Sequence, residues 1–117
     1  MLKIAVFSDS HGEVNDFRWL ADQMIKEYGP LDGFIHCGDG ARDFEQIKKF
    51  LLKTNYNAQF WQVSGNCDFS PSLPDWNVIE LENVRILITH GHRFHVKSEL
   101  QLLDQFASEK GCAMALY

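Results

Sequence analysis

The chain has 117 residues, which is typical of one domain, and its 45% hydrophobic and 23% charged content is ordinary for a globular protein. With 11 basic and 16 acidic residues its formal net charge is -5, so it has no basic excess to neutralise a nucleic-acid backbone, and we expect no nucleic-acid partner. No apolar run is long enough for a membrane span and the first residues lack a signal-peptide pattern, so no membrane association is expected. Three widely spaced cysteines favour a reduced, cytoplasmic setting.

Strands and helices are predicted to alternate along the first half of the chain. Short apolar runs predict three strands, and amphipathic stretches between them predict two helices. Asn15 or Asp16 is expected to cap the first helix, and Gly29 and Pro30 are expected to stop it. The strands are expected over 2–7, 33–37 and 58–63, and the apolar helix faces consist of Phe17, Leu20, Ala21, Met24 and Ile25, then Phe44, Ile47, Phe50 and Leu51.

The second half is predicted to contain a hairpin, a helix and a last strand. Two strands, over 78–81 and 84–88, are joined through Glu82 and Asn83, which predicts a β-hairpin. Ser98 is expected to cap the third helix. The buried face of that helix is expected to consist of Leu100, Leu103, Phe106 and Ala107, and the helix is expected to end at Gly111. An apolar run over 112–117 then predicts the last strand. Alternation of strand and helix favours parallel pairing, so the predicted class is α/β, with all of 1–117 in a single domain.

Polar side chains follow four of the predicted strands, at the point where each strand ends. Because the carboxyl ends of parallel strands share one edge of a sheet, we expect these side chains to converge there. Carboxylate, amide and imidazole groups together are ligands for divalent manganese, iron, zinc or nickel. Taken singly, each is also a common turn or cap signal. The side chains are Asp9 and His11, Asp39, Asn66 and His90, each close to a glycine, and Asp39 is the natural bridge between two cations.

Four ordered motifs, "FSDSHG", "HCGDG", "VSGNCD" and "THGH", resemble those of the calcineurin-like metallophosphoesterases. The "GNCD" and "ITHGH" forms are most similar to the small bacterial and archaeal phosphodiesterase subfamily. The resemblance implies a four-layer α/β/β/α sandwich and a centre of two divalent metal ions. Manganese is the expected metal, with iron, zinc or nickel as alternatives, and a metal-activated hydroxide attacks a small phosphorylated substrate.

By the same resemblance, Asp9, His11 and Asp39 hold one metal, and Asp39, Asn66 and His90 hold the second. Asp39 and Asn66 then also serve catalysis, and His92 is positioned to approach the substrate phosphate, although a solvent-facing loop histidine fits the sequence equally well. In many relatives a histidine follows the motif asparagine, whereas Cys67 stands there in this sequence, as a pocket wall or a soft ligand.

The sequence also assigns supporting roles to residues near these motifs. Asp68 is expected to orient the Asn66 loop through hydrogen bonds to backbone groups. Arg42 and Asp43 follow the Asp39 turn and are expected to cap the second helix. His36 lies within a strand and is expected to be packed and hydrogen-bonded rather than catalytic.

The last family motif, Gly-His-x-His, has no counterpart in this sequence, since 91–95 reads "GHRFH". We therefore expect the C-terminal part of the sandwich to be absent and each metal to lose one imidazole. Two functions follow: a dinuclear phosphodiesterase, or a truncated, catalytically impaired fold that acts as a binding module or has no activity. Uncovered apolar sheet surface predicts a homo-oligomer, with the hairpin over 78–88 as the contact.

Overall fold

A computed structural model of the chain describes residues 2–54, 57–68, 72–92 and 100–117. The first half forms a three-stranded parallel sheet in the order β1-β2-β3, with a helix after each of the first two strands. This arrangement confirms the predicted strand–helix alternation. The elements are β1 Ile4–Phe7, α1 Val14–Tyr28, β2 Gly33–His36, α2 Ala41–Thr54 and β3 Gln59–Gln62.

The second half forms a separate three-stranded sheet in the order β4-β5-β6, in which β4 and β5 are antiparallel and β5 and β6 are parallel. Glu82 and Asn83 have φ values of 48° and 67°, so the two-residue connection is a left-handed turn that matches the twist of a hairpin. The predicted hairpin is thus confirmed. The elements are β4 Trp76–Leu81, β5 Val84–Thr89, α3 Gln101–Glu109 and β6 Met114–Leu116.

Three apolar clusters show how these elements are layered. The first cluster joins α1 and α2 to one face of the first sheet, around Phe17, Phe34 and Phe44. The second lies between the two sheets, where Ile35 and Val63 meet side chains of β4 and β5. The third joins α3 to the outer face of the second sheet. The layers therefore follow the order α/β/β/α, as the resemblance implied.

Several details of the fold differ from the sequence-based expectations. Helix α1 begins at Val14 with Glu13 at the cap position, so the expected cap at Asn15 or Asp16 is wrong. Leu20 and Leu100 are exposed instead of packed, because Leu20 lies outside the buried stripe of α1 and Leu100 precedes the first turn of α3. The expected cap Ser98 lies outside the described residues. The strand that leads to His90 belongs to the second sheet, so the polar strand ends come from two sheets and not from one edge.

The hairpin buries its larger apolar side chains and exposes its turn. Ile79, Ile86 and Leu87 are buried by the first sheet and by α3, whereas the residues over 82–85 are exposed. Trp76 and Val84, near the two ends of the hairpin, keep 38% and 39% of their surface exposed. In the ranges that the structure describes, no helix combines the length and the apolar character needed to cross a bilayer.

Candidate metal centre

The loop after β1 brings Asp9 and His11 to the end of the first sheet in an uncommon backbone conformation. Their φ values are 55° and 46°, in the left-handed region that costs energy for residues other than glycine. Two backbone hydrogen bonds, from Asp9 N–H to the Gly38 carbonyl at 2.9 Å and from His11 N–H to the Asp39 carbonyl at 3.0 Å, hold this loop against the one that follows β2. The two ligand-bearing loops are therefore joined directly.

Asp39 lies at the centre of the site. It also has a left-handed backbone, with φ 60°, and its side chain is only 4% exposed. Its Oδ2 lies 3.2 Å from His90 Nε2 and 3.6 Å from His11 Nε2, while its Oδ1 accepts a hydrogen bond of 2.8 Å from Cys67 N–H. A buried carboxylate with imidazoles on one side and a backbone donor on the other is well placed to hold a cation.

Two groups of donor atoms form around this carboxylate. In each group the candidate ligand atoms lie within 4.8 Å of one another. Asp9 Oδ1 is 3.3 Å from His11 Nε2 and 3.8 Å from His90 Nε2, so it faces both imidazoles. Mixed carboxylate, imidazole and thiol donors around a buried acid fit divalent transition metals. One group consists of Asp9, Asp39 and His90, and the other of His11, Asp39 and Cys67.

Asn66 and His92 lie beside these groups. The Asn66 amide donates to Cys67 Sγ at 3.7 Å. Both chain neighbours of Asn66 contact Asp39. Cys67 does so through its N–H, and Gly65 lies so close that a Cβ there would collide with the carboxylate. The His92 ring lies 5.5 Å from the His90 ring, and its Nδ1 is shielded from solvent without a hydrogen-bond partner among the described residues. The structure thus gathers Asp9, His11, Asp39 and His90 tightly and places Asn66 and His92 at the edge.

Asp68 fastens the Asn66 loop to the start of α2. Its carboxylate accepts four backbone N–H groups at 2.8–3.1 Å, those of Asp39, Gly40, Ala41 and Gly65. Burial raises the pKa of Asp68, but these four hydrogen bonds outweigh burial, and the net pKa is lowered. The prediction that Asp68 orients this loop agrees with these contacts, and the first N–H groups of α2 bond to Asp68 rather than to Asp43.

A chain of hydrogen bonds through His36, Ser10 and Asp43 holds the Asp9–His11 loop. His36 is fully buried; its Nδ1 accepts the Gly38 N–H at 3.1 Å, so the proton is on Nε2, which contacts Ser10 Oγ at 3.1 Å. Ser10 donates in turn to Asp43 Oδ2 at 2.7 Å, which also accepts the Gly12 N–H at 2.8 Å. Burial lowers the pKa of His36 against the opposing effect of Asp68, Asp43 and Asp9, in agreement with a neutral ring.

An open cleft of about 780 Å³ runs from the metal centre towards the carboxyl end of β3. His11, Asp39 and Cys67 are among the residues that line it. Arg42 and Gln62 line it too, and the Gln62 amide donates to Glu45 at 2.6 Å. The cleft is therefore large enough for a small organic phosphate next to the donor groups.

The family model described as the calcineurin-like phosphoesterase superfamily domain matches residues 2–117, nearly the whole chain. The chain belongs to this superfamily. The fold and the grouped carboxylates and imidazoles are consistent with that membership, which confirms the resemblance noted from the four motifs.

Two bacterial proteins of about 30% sequence identity match nearly the whole of this chain. A probable metallophosphoesterase of Bacillus subtilis, YsnB, is 30% identical over 112 residues, covering 94% of this chain and 59% of the relative. The crystal structure of a conserved uncharacterized protein of Streptococcus pneumoniae, a predicted phosphoesterase, has 32% identity and a TM-score of 0.70, covering 97% and 59% of the two chains. The present chain thus spans about three fifths of the length of both.

More distant structures share only the fold. Wild-type Vps29 of Entamoeba histolytica, solved in complex with Zn²⁺, has 18% identity and a TM-score of 0.69, and the match covers 96% of this chain and 61% of that one. Chaetomium thermophilum Vps29 is similar at 19% identity and a TM-score of 0.67, covering 98% and 59%. These likenesses support the calcineurin-like architecture.

Sequence reasoning on this member of the superfamily missed one feature of the site, the chain of hydrogen bonds from His36 through Ser10 to Asp43. Nothing in the sequence places Ser10 opposite a residue 33 positions later. For Cys67 the sequence offers two roles, a pocket wall and a soft ligand. The structure adds that its Sγ lies within 4.8 Å of candidate ligand atoms of His11 and Asp39.

Proposed function

We propose that this chain carries the catalytic centre of a metal-dependent phosphoesterase that hydrolyses small phosphodiesters in the cytoplasm. The observation that carries the proposal is the position of Asp39, whose buried carboxylate belongs to both donor groups. A carboxylate shared by two groups is the arrangement expected for a bridge between two cations. The cleft beside it supplies room for a substrate.

The residues fit a pair of divalent cations. Asp9, His11, Asp39, Asn66 and His90 would hold them, with manganese as the first choice and iron, zinc or nickel as alternatives. When bound, two such cations polarise the phosphoryl oxygens and activate water. The Zn²⁺ complex of Entamoeba Vps29 supports the view that this fold accepts a divalent cation.

The chain's own groups orient the substrate and maintain the site. Asp39 keeps both donor groups at a fixed separation, since its own position is fixed by Cys67 N–H and by Asp68. The Asn66 amide, which donates to Cys67 Sγ, can bind a phosphoryl oxygen as well as a cation. His92, next to His90, has a shielded ring nitrogen with no hydrogen-bond partner among the described residues, and we assign it a contact with the substrate phosphate.

Hydrolysis of an aryl phosphodiester by the metal-stripped chain, with and without added Mn²⁺, tests the proposal. We expect activity only with metal, and we expect Asp39→Asn to remove it because the amide cannot bridge two cations. Asp32→Asn is the matched control, since Asp32 lies at the opposite end of the sheet, where it accepts the Lys3 N–H.

Activity that is unchanged by chelation or by Asp39→Asn would refute the proposal. Metal binding by the wild-type chain without any hydrolysis would refute it as well, and would favour the alternative, a phosphoesterase fold that serves as a binding module.

A further inference from the structure

The group formed by His11, Asp39 and Cys67 contains a sulfur donor. The three candidate ligand atoms lie within 4.8 Å of one another. Cys67 is exposed, and its backbone N–H bonds to Asp39 Oδ1 at 2.8 Å, which fixes the thiol-bearing residue against the shared carboxylate. The thiol is thus held next to a buried acid by a contact that does not depend on the sulfur itself.

The spacing of these atoms suits a small cation. With ligand distances of about 2.0–2.3 Å, tetrahedral donors around zinc are separated by roughly 3.3–3.8 Å. Closing the present separations, which are at most 4.8 Å, therefore requires only modest rotation of His11 and Cys67. His11 is half exposed, so its ring has room for this adjustment, which exchanges its contact with Asp9 for one with the cation.

We propose that Cys67 Sγ is a ligand of the cation held by His11 and Asp39. Its thiolate makes this position prefer a thiophilic ion such as Zn²⁺ over Mn²⁺. The proposal rests on the metal centre of the proposed function, and it narrows the choice of metal at the position held by His11 and Asp39. On coordination the thiol S–H bond breaks, its proton passes to solvent, and sulfur keeps the electron pair that it donates to the ion.

The electrostatics around Cys67 change sign when a cation is present. The Asp39 carboxylate, which accepts the Cys67 N–H, places a negative charge beside the thiol. A divalent cation among these donors is the largest local charge, and a thiol that coordinates such an ion loses its proton outright. Asp39 then stabilises the ion while Cys67 supplies the soft donor, as in mixed carboxylate, imidazole and thiolate sites.

A simple wall role for Cys67 makes a different prediction. A thiol that only lines the cleft leaves no electronic signature on the metal, and its replacement by serine changes Zn²⁺ and Mn²⁺ binding alike. A ligand thiolate produces a charge-transfer band with cobalt, and its loss weakens binding of the softer metal more strongly.

The test is a cobalt titration of the metal-free 117-residue chain under anaerobic conditions, followed by near-ultraviolet absorption. We expect a thiolate-to-cobalt charge-transfer band in the wild type and in Cys112→Ser, and no such band in Cys67→Ser. In competition titrations, we expect Cys67→Ser to lower Zn²⁺ affinity by about 100-fold or more, because even residues that only orient ligands contribute about 10–100-fold. Mn²⁺ affinity should change much less.

Absence of the band in the wild type, which needs no variant to fold, would overturn the proposal. A band that survives Cys67→Ser, or that is lost in Cys112→Ser, would overturn it equally. Hydrolysis of the aryl phosphodiester is measured in parallel and reports on the proposed function separately. A cobalt–thiolate band without hydrolysis supports the ligand role while refuting the phosphoesterase assignment, and hydrolysis without the band does the reverse.

Discussion

Replacing Asp68 with alanine removes a single carboxylate that accepts four backbone N–H groups. Two of these, Gly40 and Ala41, belong to the start of α2, where the first N–H groups have no partner within the helix. The other two, Asp39 and Gly65, flank the metal centre. The substitution therefore removes a helix cap and a link between two ligand-bearing loops at the same time.

The expected loss of stability follows from these contacts. Loss of an N-cap costs about 0.5–2 kcal/mol, and one hydrogen bond to a charged group is worth about 1.5–3 kcal/mol. Asp68 is only partly buried, so water replaces some of what is lost. We expect Asp68→Ala to lower the free energy of unfolding by about 3 kcal/mol, which corresponds to a fall in Tm of roughly 10–15 °C for a chain of this size.

Urea unfolding of the metal-free chain measures this change, and a metal titration of the same variant measures its effect on the site. Asp32→Ala is the matched control, because Asp32 accepts one exposed backbone N–H at 2.8 Å and should cost less than about 1 kcal/mol. An Asp68→Ala variant as stable as Asp32→Ala would refute the reasoning. It would mean that water satisfies the four donors as well as the carboxylate does.

Three further predictions use other parts of the molecule. With saturating Mn²⁺, Asp39→Ala should reduce the rate of hydrolysis by more than the roughly 10–100-fold loss that is typical of residues that only orient ligands. The loss should also exceed that of His92→Ala. Equal rates for wild type and Asp39→Ala would contradict this prediction. Burial raises the pKa of Cys37 to about 11, so mass-spectrometric mapping should show it alkylated more slowly at neutral pH than the other two cysteines. We also expect the chain to self-associate in light scattering and Val84→Lys to weaken this; a monomeric wild type would refute it.

The sequence predicts the order of elements well because hydrophobic periodicity is local information. It predicts the hairpin because Glu82 and Asn83 lie between two apolar runs, and the turn conformation follows from the two-residue length. It assigns the strand of His90 to the wrong sheet, since strand pairing is set by contacts between distant segments. For the same reason it places the cap of α2 at Asp43, whereas the carboxylate that binds those N–H groups comes from Asp68.

The residues with left-handed backbone at the site explain why two sets of hydrogen bonds hold the loops around it. Asp9, His11 and Asp39 all have positive φ, and each such residue costs of order 1–3 kcal/mol, nearer the low end for Asp and His, which tolerate this region. Domains are stable by only about 5–15 kcal/mol, so three such residues persist only where surrounding contacts fix them. The Ser10–His36–Asp43 chain fixes one loop and Asp68 fixes the other. Apart from the Glu82–Asn83 turn, the non-glycine residues with positive φ in the described ranges are thus these three donor residues. A conformation set before binding lowers the cost of gathering charged ligands around a cation.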